Sequence, residues 1–311
     1  MSAIATAVQH IPVLLEETIE LLDVHPGGKY IDCTVGCGGH ATAILQASSP
    51  DGKLLGLDVD PSALEEAHNK LSPFRDAVVL VNDSFKNMEQ VCAQNNFSPV
   101  QGILLDLGVS SLQLDNASRG FSFQRDAPLD MRFSPNTELT AADIVNTFPE
   151  SELATILRKY GEEPKSRPIA KRIVANRPIH STVELARLVE QTLGHTGSKI
   201  HPATKTFQAL RITVNYELEC LRDSLKQAVH LLTTGGRLVI IAYHSLESRV
   251  VKEFLRQEAR GCVCAPGIPV CVCEHTPTLK LITKKVIKPS FREIEANRRS
   301  RSGRLRAAER L

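Results

Sequence analysis

Long apolar segments are missing from this chain of 311 residues. No run approaches the ~18–20 apolar residues that a transmembrane helix needs, which excludes a membrane-spanning protein. The first ten residues lack the basic patch and apolar core of a secretory signal, so we expect a cytoplasmic protein. There the eight cysteines are expected to be thiols rather than disulfides. Internal repeats, hydrolase nucleophile elbows, Walker loops and metalloprotease motifs are also absent from the sequence.

Net charge is nearly absent as well, at +2, but it is unevenly distributed. Residues 280–311 contain 11 Lys and Arg against 3 Asp and Glu, a net +8, which leaves −6 for the remaining residues. A basic tail on an acidic body suggests an anionic partner, with nucleic acid as the first candidate. A solvated tail without a partner is an equal alternative on charge alone. We expect the segment beyond Pro289 to be only partly ordered.

Short apolar runs alternate with helical patterns through the first 110 residues. Runs rich in Val, Ile and Leu predict buried parallel strands, the last of them after residue 235. They are Lys29–Cys33, Leu54–Val59, Ala77–Val81, Gly102–Leu107 and Arg237–Ala242. Helices are predicted between the first four, over Ala41–Ala47, Pro61–Leu71 and Phe85–Gln94. This alternation predicts an α/β fold with an open parallel sheet.

The alternation stops between residues 109 and 205. Four segments there have apolar residues at helical spacing, and polar cap residues such as Thr140 and Ser181 precede them. They are Ala141–Thr147, Glu150–Tyr160, Ile169–Asn176 and Thr182–Leu193. A long helix over Ala203–Leu232 is expected to return the chain to the sheet. We therefore predict a sheet domain of residues 1–110 and 205–311, with an inserted all-helical domain of residues 111–204.

A glycine-rich loop, DCTVGCGGH, runs from Asp32 to His40 directly after the first predicted strand. Glycines let the backbone approach a ligand, and the following helix offers free N–H groups. The Gly-x-Gly-x-x-Ala spacing that begins at Gly36 satisfies a loose dinucleotide fingerprint, with Asp58 placed for ribose recognition. The same loop, counted from Asp32, also fits an S-adenosylmethionine pattern. A turn that merely packs a helix on a strand is the third interpretation.

Acidic residues at the ends of the predicted strands favour S-adenosylmethionine. Asp32 precedes the glycines, where a methyltransferase needs a carboxylate near the cofactor's ammonium group. Asp58, Asp83 and Asp106 end the next three strands. Ligands of an open α/β sheet bind at the carboxyl ends of the strands, so all four acids are expected to face one cofactor.

Several blocks of sequence together resemble the RsmH/MraW family of bacterial methyltransferases. The blocks are TVGCGGH (34–40), GILLDLGVSS (102–111), RGFSF (119–123), PLDMR (128–132), HPATKTFQALR (201–211), GGRL (235–238), HSLE (244–247) and RSRS (299–302). The resemblance extends from about His10 to the end of the chain. It implies a class I S-adenosylmethionine-dependent methyltransferase, Rossmann-like with an inserted helical domain, that methylates N4 of a cytosine in small-subunit (16S) ribosomal RNA.

The resemblance also implies a cofactor site, and we assign no metal to it. Its residues would be Gly38, Gly39, His40, Asp58, Phe85, Asp106 and Gln113. Glycine backbone would approach the methionine portion, Asp58 would accept from both ribose hydroxyls, and Phe85 would lie on the adenine. Asp106 is the catalytic candidate. It would either accept a hydrogen bond from the target amine or contact only the cofactor's amino group, and the two roles stay open.

RNA contacts are expected from basic residues of the insertion and the tail. The candidates are Lys165, Arg167, Lys171, Arg172, Arg177, Lys205, Arg211, Arg298, Arg299, Arg301, Arg304 and Arg306. Such groups bind phosphate, whereas selecting a base requires an extruded or single-stranded cytosine in a pocket. Phe121 and Phe123 would either stack on that base or form a small core. The expected partner is small-subunit ribosomal RNA within the ribosomal subunit, and a homodimer stays open. A non-catalytic RNA-binding module and a nicotinamide-dependent oxidoreductase are the alternative functions.

Two further motifs have more than one interpretation. His244, Ser245 and Glu247 follow the last predicted strand, and we favour a helix-capping role with Ser245 at the start over contact with substrate. Two Cys-x-Cys pairs would supply four thiolates for zinc, but one-residue gaps are shorter than the usual two to four. Unliganded thiols are therefore favoured over zinc or a redox pair. The cysteines are Cys262, Cys264, Cys271 and Cys273.

Overall fold

The computed structural model describes residues 11–194, 201–264, 270 and 272–311. Two compact units can be distinguished in it. The sheet unit comprises residues 1–108 and 220–311, and the helical unit comprises residues 109–219. Cys271 lies outside the described residues. So do the first ten residues, from which we predicted that the chain has no secretory signal. Among the described helices, none has the length and apolar character needed to cross a membrane.

A seven-stranded sheet occupies the described part of the sheet unit, in the order β3-β2-β1-β4-β5-β7-β6. Strands β1 to β5 are parallel, and β7 is antiparallel to both of its neighbours. The bounds are β1 Lys29–Asp32, β2 Lys53–Asp58, β3 Val78–Asn82, β4 Val100–Asp106, β5 Leu232–Ala242, β6 Leu279–Leu281 and β7 Arg304–Arg310. The five predicted strands are thereby confirmed. The strand order reverses between β1 and β4, where an open α/β sheet forms its ligand crevice.

Helices α1 to α4, α12, α13 and most of α11 belong to the sheet unit, and the others to the helical unit. In chain order the described helices are α1 Leu15–Leu21, α2 Gly39–Ala47, α3 Pro61–Lys70, α4 Met88–Gln94, α5 Ser111–Asp115, α6 Ala141–Thr147, α7 Glu150–Gly161, α8 Ser166–Ala175, α9 Thr182–Leu193, α10 Thr204–Asn215, α11 Glu217–Leu231, α12 Ser245–Glu258 and α13 Phe291–Ala296.

Side chains of the central strands point alternately to the two faces of the sheet. They contribute to two separate cores, one on each face. Ile31 and Ile103 join side chains of α4, α11 and α12 in one core. Tyr30 and Leu104 join side chains of α2 and α3 in the other. Because both faces are covered by helices, the strands are apolar at nearly every position, which is the pattern that predicted them.

The helical unit has its own core, formed largely by side chains of α6 to α10. Thr140 and Ser181 accept from the backbone N–H three residues on, as predicted for helix caps. The single long helix predicted over Ala203–Leu232 is wrong. Helix α10 ends at Asn215, and Tyr216 adopts the left-handed conformation (φ 50°) before α11 begins. Since α10 packs against α7, the helical unit extends to residue 219 rather than 204.

The basic C-terminal segment is ordered, and the prediction of partial disorder is wrong. Residues 304–310 form β7, which lies between β5 and β6. Leu305, Ala307 and Ala308 of this strand are fully buried, whereas Arg304 is exposed. The apolar side chains therefore add to both cores of the sheet, and only part of the positive charge is left at the surface.

Candidate active site

The glycine loop joins the end of β1 to the start of α2. Gly36 and Gly38 have φ of 50° and 76°, the left-handed region that favours glycine. Gly38 is the N-cap of α2, and a Cβ there would lie 3.3 Å from the side chain of Leu71. A Cβ at Gly39 would lie 2.5 Å from Cγ of Pro12. The glycines are therefore required by backbone conformation and by close packing around the loop.

Asp58, at the end of β2, holds this loop in place. Its Oδ2 accepts from the Gly36 N–H at 2.9 Å, and its Oδ1 accepts from the Asp60 N–H at 2.9 Å. Burial raises the pKa of Asp58 to about 6, although the N–H groups of Asp60 and Gly36 oppose the shift. Each oxygen keeps a second lone pair, so the carboxylate can accept further hydrogen bonds from a ligand.

Asp32, the last residue of β1, is a buried carboxyl with an unused oxygen. The side chain is 1% exposed, and its Oδ1 accepts from the Thr34 N–H at 3.1 Å. Its Oδ2 has no hydrogen-bond partner among the described residues. Burial raises the pKa of Asp32 to about 7, and His40 and the Thr34 N–H oppose the rise. An unsatisfied buried carboxylate is costly, which indicates a place for a cationic ligand group.

Asp106 ends β4 and lies between two side chains of the sheet unit. The Tyr243 hydroxyl donates to Oδ1 at 2.7 Å, and Oδ2 lies 3.6 Å from Nε2 of His40. The Asp106 N–H donates to the Thr34 hydroxyl at 2.7 Å, which ties β4 to the loop. Burial and the Asp106 charge raise the pKa of Tyr243 well above its usual value, so the phenol stays a donor.

His40 lies in the first turn of α2 and is 6% exposed. Neither ring nitrogen has a hydrogen-bond partner within the described residues. A histidine with only a structural role would have its buried ring nitrogens hydrogen-bonded within the protein. The ring nitrogens of His40 do not meet this expectation. The ring therefore has hydrogen-bonding capacity available for a ligand beside Asp32 and Asp106.

The structure also gives local contacts for the remaining predicted residues. Phe85 begins a short 3₁₀ turn after β3 and packs, half-buried, against the core that contains α4. Asp83, one of the four predicted acids, accepts through Oδ1 from the Ser84 N–H and the Asn87 side chain, so it stabilises this turn. Gln113 belongs to the helical unit, where its side chain accepts from the Ser110 N–H in a capping box of α5.

Tyr243 is a site residue that the sequence analysis missed. It follows β5 at the carboxyl edge of the sheet, the same position that marked the strand-end acids. The capping interpretation of the next residues is confirmed: His244 is the N-cap, and α12 starts at Ser245 as predicted. Glu247 closes the capping box, and its Oε2 also accepts from the Tyr243 N–H at 2.9 Å. Tyr243 is thus fixed through its backbone as well as its hydroxyl.

Several predicted RNA-binding residues have structural roles instead. Arg177 donates to the carbonyl oxygens of Val145 and Phe148, and Arg211 pairs with both carboxylate oxygens of Glu217 at 2.7 and 2.8 Å. Arg306 is half-buried in β7. The side chains of the other basic candidates are exposed: Lys165, Arg167, Lys171, Arg172, Lys205, Arg298, Arg299, Arg301 and Arg304.

Phe121 and Phe123 form part of the helical core, as one of the two interpretations predicted. Phe121 stacks on Phe133 with ring centroids 5.5 Å apart. Phe123 packs edge-on against Phe207 at 4.9 Å and also contacts His201. Both rings pack against other aromatic side chains of the protein. The structure therefore gives no support to the alternative interpretation, in which they stack on the target cytosine.

Comparison with known proteins assigns this chain to a family. A model of the MraW methylase family matches residues 7–311. Ribosomal RNA small subunit methyltransferase H of Dehalococcoides mccartyi is 55% identical over 302 residues, 97% of this chain and 86% of that protein. The protein of that name from Syntrophotalea carbinolica is 51% identical over 308 residues, 97% and 98% of the two chains. The structure of an rRNA methylase from Streptococcus thermophilus overlaps 97% of this chain and 99% of that chain, with a TM-score of 0.44 and 12% identity. The resemblance of the sequence blocks is confirmed, and the chain belongs to the MraW methylase family.

Proposed function

We propose that this protein transfers a methyl group from S-adenosylmethionine to N4 of a cytosine in small-subunit ribosomal RNA. Membership of a methylase family and the name shared by its relatives support the reaction and the substrate. The observation that carries the assignment of the site is a group of unsatisfied polar atoms at the carboxyl edge. Asp32 Oδ2 and both His40 nitrogens lack hydrogen-bond partners among the described residues, and both side chains are buried.

This group fits the amino acid end of S-adenosylmethionine. The free Oδ2 of Asp32 suits the ammonium, and a ring N–H of His40 suits the carboxylate. The free α2 N-terminus at Gly39 adds backbone donors beside them. Asp58 keeps lone pairs for the ribose hydroxyls, and Phe85 offers an apolar ring for the adenine. Gln113 remains a proposed contact of the same cofactor.

The target amine is a weak nucleophile because its lone pair is delocalised into the cytosine ring. S-adenosylmethionine supplies an electrophilic methyl on sulfur, so the carbon–sulfur bond breaks as the carbon–nitrogen bond forms and N4 loses a proton. A carboxylate that accepts an N4–H favours a more pyramidal nitrogen and takes up that proton. We assign this role to Asp106, and the hydrogen bond from the Tyr243 hydroxyl to Oδ1, which orients the carboxylate, supports the assignment.

Product analysis tests the function directly. Small ribosomal subunits without the mark, given S-adenosylmethionine and this protein, should yield N4-methylcytidine after nuclease digestion. Naked ribosomal RNA in a parallel reaction tests our further proposal that the assembled subunit is the substrate. Methylation only at cytosine C5, at adenine or on protein would contradict the assignment of the target atom.

Exposed basic residues of α8 are the proposed contacts for RNA phosphates. Lys165, Arg167, Lys171 and Arg172 are exposed within one helix and the residue before it, while Ile169 and Ile173 anchor that helix in the core. No acidic side chain occurs from Lys165 to Arg177 to neutralise them. Charge arranged in this way binds the sugar–phosphate backbone without reading sequence.

Replacing both Lys171 and Arg172 with Ala should weaken RNA binding and flatten its dependence on salt. Removing one cation from a phosphate lowers the slope of log affinity against log salt by roughly 0.7–0.9. The matched control is the pair Lys252→Ala and Arg256→Ala, which removes the same charge from exposed positions of α12. Equal slopes in both double variants would refute the role of α8, and S-adenosylhomocysteine affinity should stay unchanged in each.

A further inference from the structure

A cluster of three thiols lies in the segment between α12 and β6, apart from the proposed active site. The Sγ atoms of Cys262, Cys264 and Cys273 all lie within 4.8 Å of one another. Sγ of Cys262 and Sγ of Cys273 are 3.8 Å apart, well beyond the ~2.05 Å of a disulfide bond. Residues eleven apart in sequence therefore face each other as separate thiols.

Backbone amides point at each sulfur of this cluster. The Val263 N–H donates to Cys273 Sγ at 3.4 Å, and the Cys264 N–H donates to Cys262 Sγ at 3.4 Å. The Val272 N–H donates to Cys264 Sγ at 3.5 Å. Donors aimed at sulfur stabilise the thiolate, which is the form that binds metals. The loop thus supports negative charge on all three sulfurs.

We propose that these thiolates bind a zinc ion. Tetrahedral zinc with Zn–S distances of about 2.3 Å places neighbouring sulfurs about 3.8 Å apart, the separation found between Cys262 and Cys273. The short Cys-x-Cys spacing, which disfavoured zinc in the sequence analysis, matters less than expected. The two described chain segments converge, so Cys273 would join Cys262 and Cys264 at one ion. Cys271, the fourth cysteine of the pattern, lies outside the described residues.

The surroundings of the cluster show what such an ion would contribute. Val263, Val270 and Val272 are 38%, 71% and 72% exposed, so these three apolar side chains lie at the surface and not in a core. These three described side chains therefore contribute little apolar burial to this segment. Zinc binding, which displaces a proton from each thiol, would fix the loop with metal–ligand bonds instead.

Metal analysis of the purified full-length protein tests the proposal. Protein prepared with zinc under reducing conditions should contain about one zinc ion per chain. The double variant Cys262→Ser, Cys273→Ser should lose it, and the control Cys220→Ser, a half-buried thiol of α11, should keep it. Cobalt(II) titration of the wild-type protein should give intense thiolate-to-metal charge-transfer absorption, a readout that does not depend on the variants folding.

Absence of zinc from the reduced wild-type protein, or cobalt binding without thiolate absorption, would overturn the site. A disulfide between Cys262 and Cys273 in protein handled under reducing conditions would overturn it as well. Affinity for S-adenosylhomocysteine should be unchanged in the double variant, so failure of the zinc proposal and failure of the proposed methyl transfer are distinguishable.

Discussion

Replacing Asp106 with Asn should reduce the rate of methyl transfer by about 10²–10⁴-fold, the range typical of a lost general base. The amide keeps the shape of the side chain and an oxygen that can accept from the Tyr243 hydroxyl. It cannot take up a proton from the target amine. The rate should be measured in a single turnover with saturating S-adenosylmethionine, alongside cofactor affinity by calorimetry.

Tyr243→Phe is the comparison that separates orientation from proton acceptance. It removes only the hydroxyl that holds Asp106 Oδ1, so a smaller loss, on the order of tenfold, is expected. If Asp106→Asn weakens cofactor binding and leaves the single-turnover rate intact, the carboxylate contacts the cofactor's amino group and not the target amine.

Asp32→Asn should lower the affinity for S-adenosylhomocysteine about ten- to hundredfold, the loss of a charged hydrogen bond worth ~1.5–3 kcal/mol. The Thr34 N–H still has an oxygen to donate to in this variant, so the turn after β1 is preserved. Asp51→Asn, at an exposed position ahead of β2, is the matched control and should bind as the wild type does. Equal affinity in both variants would remove Asp32 from the ammonium site.

The same carboxyls make binding depend on pH. The pKa of Asp32 is raised to about 7 and that of Asp58 to about 6, both mainly by burial. An ammonium ligand favours ionised Asp32, so wild-type affinity should rise with pH through this range and level off above it. Asp32→Asn should lose the upper part of this rise. Without ligand the sign is opposite for folding: a raised carboxyl pKa reduces stability as pH climbs from about 4 to 7.

The sequence predicted the active site best where one rule of sheet geometry applied. Parallel strands end at a common edge, so Asp32, Asp58 and Asp106 could be placed near each other from their positions alone. Tyr243 follows β5 at the same edge, but an aromatic residue after an apolar run carries no charge that would mark it as a site residue. The unused oxygen of Asp32 and the unpartnered ring of His40 depend on packing, which a sequence pattern does not describe.

Charge and periodicity misled the analysis at the other positions. The sequence of β7, RLRAAER, has four charged residues around a short apolar centre. Because of this charge the segment was predicted to be partly disordered and not to form a strand. From their charge, Arg177 and Arg211 were predicted to bind RNA. In the structure, Arg177 donates to a carbonyl oxygen and Arg211 to a carboxylate. The interruption between helices α10 and α11 at Tyr216 is not marked by a glycine or a proline. The sequence therefore predicted one uninterrupted helix.

The position of β7 determines when the sheet can be completed during synthesis. β5 and β6 are both made before β7, yet each pairs with it in the finished sheet. Until residues 304–310 have been made, β5 therefore lacks the partner on one of its edges, and β6 has no partner strand. The helical unit, by contrast, is continuous in sequence, so all of its residues have been made before β5. We therefore expect the inserted unit to fold on the nascent chain while the sheet still has an open edge. Exposed strand edges are sites of aggregation, so this interval is the vulnerable one for the newly made enzyme.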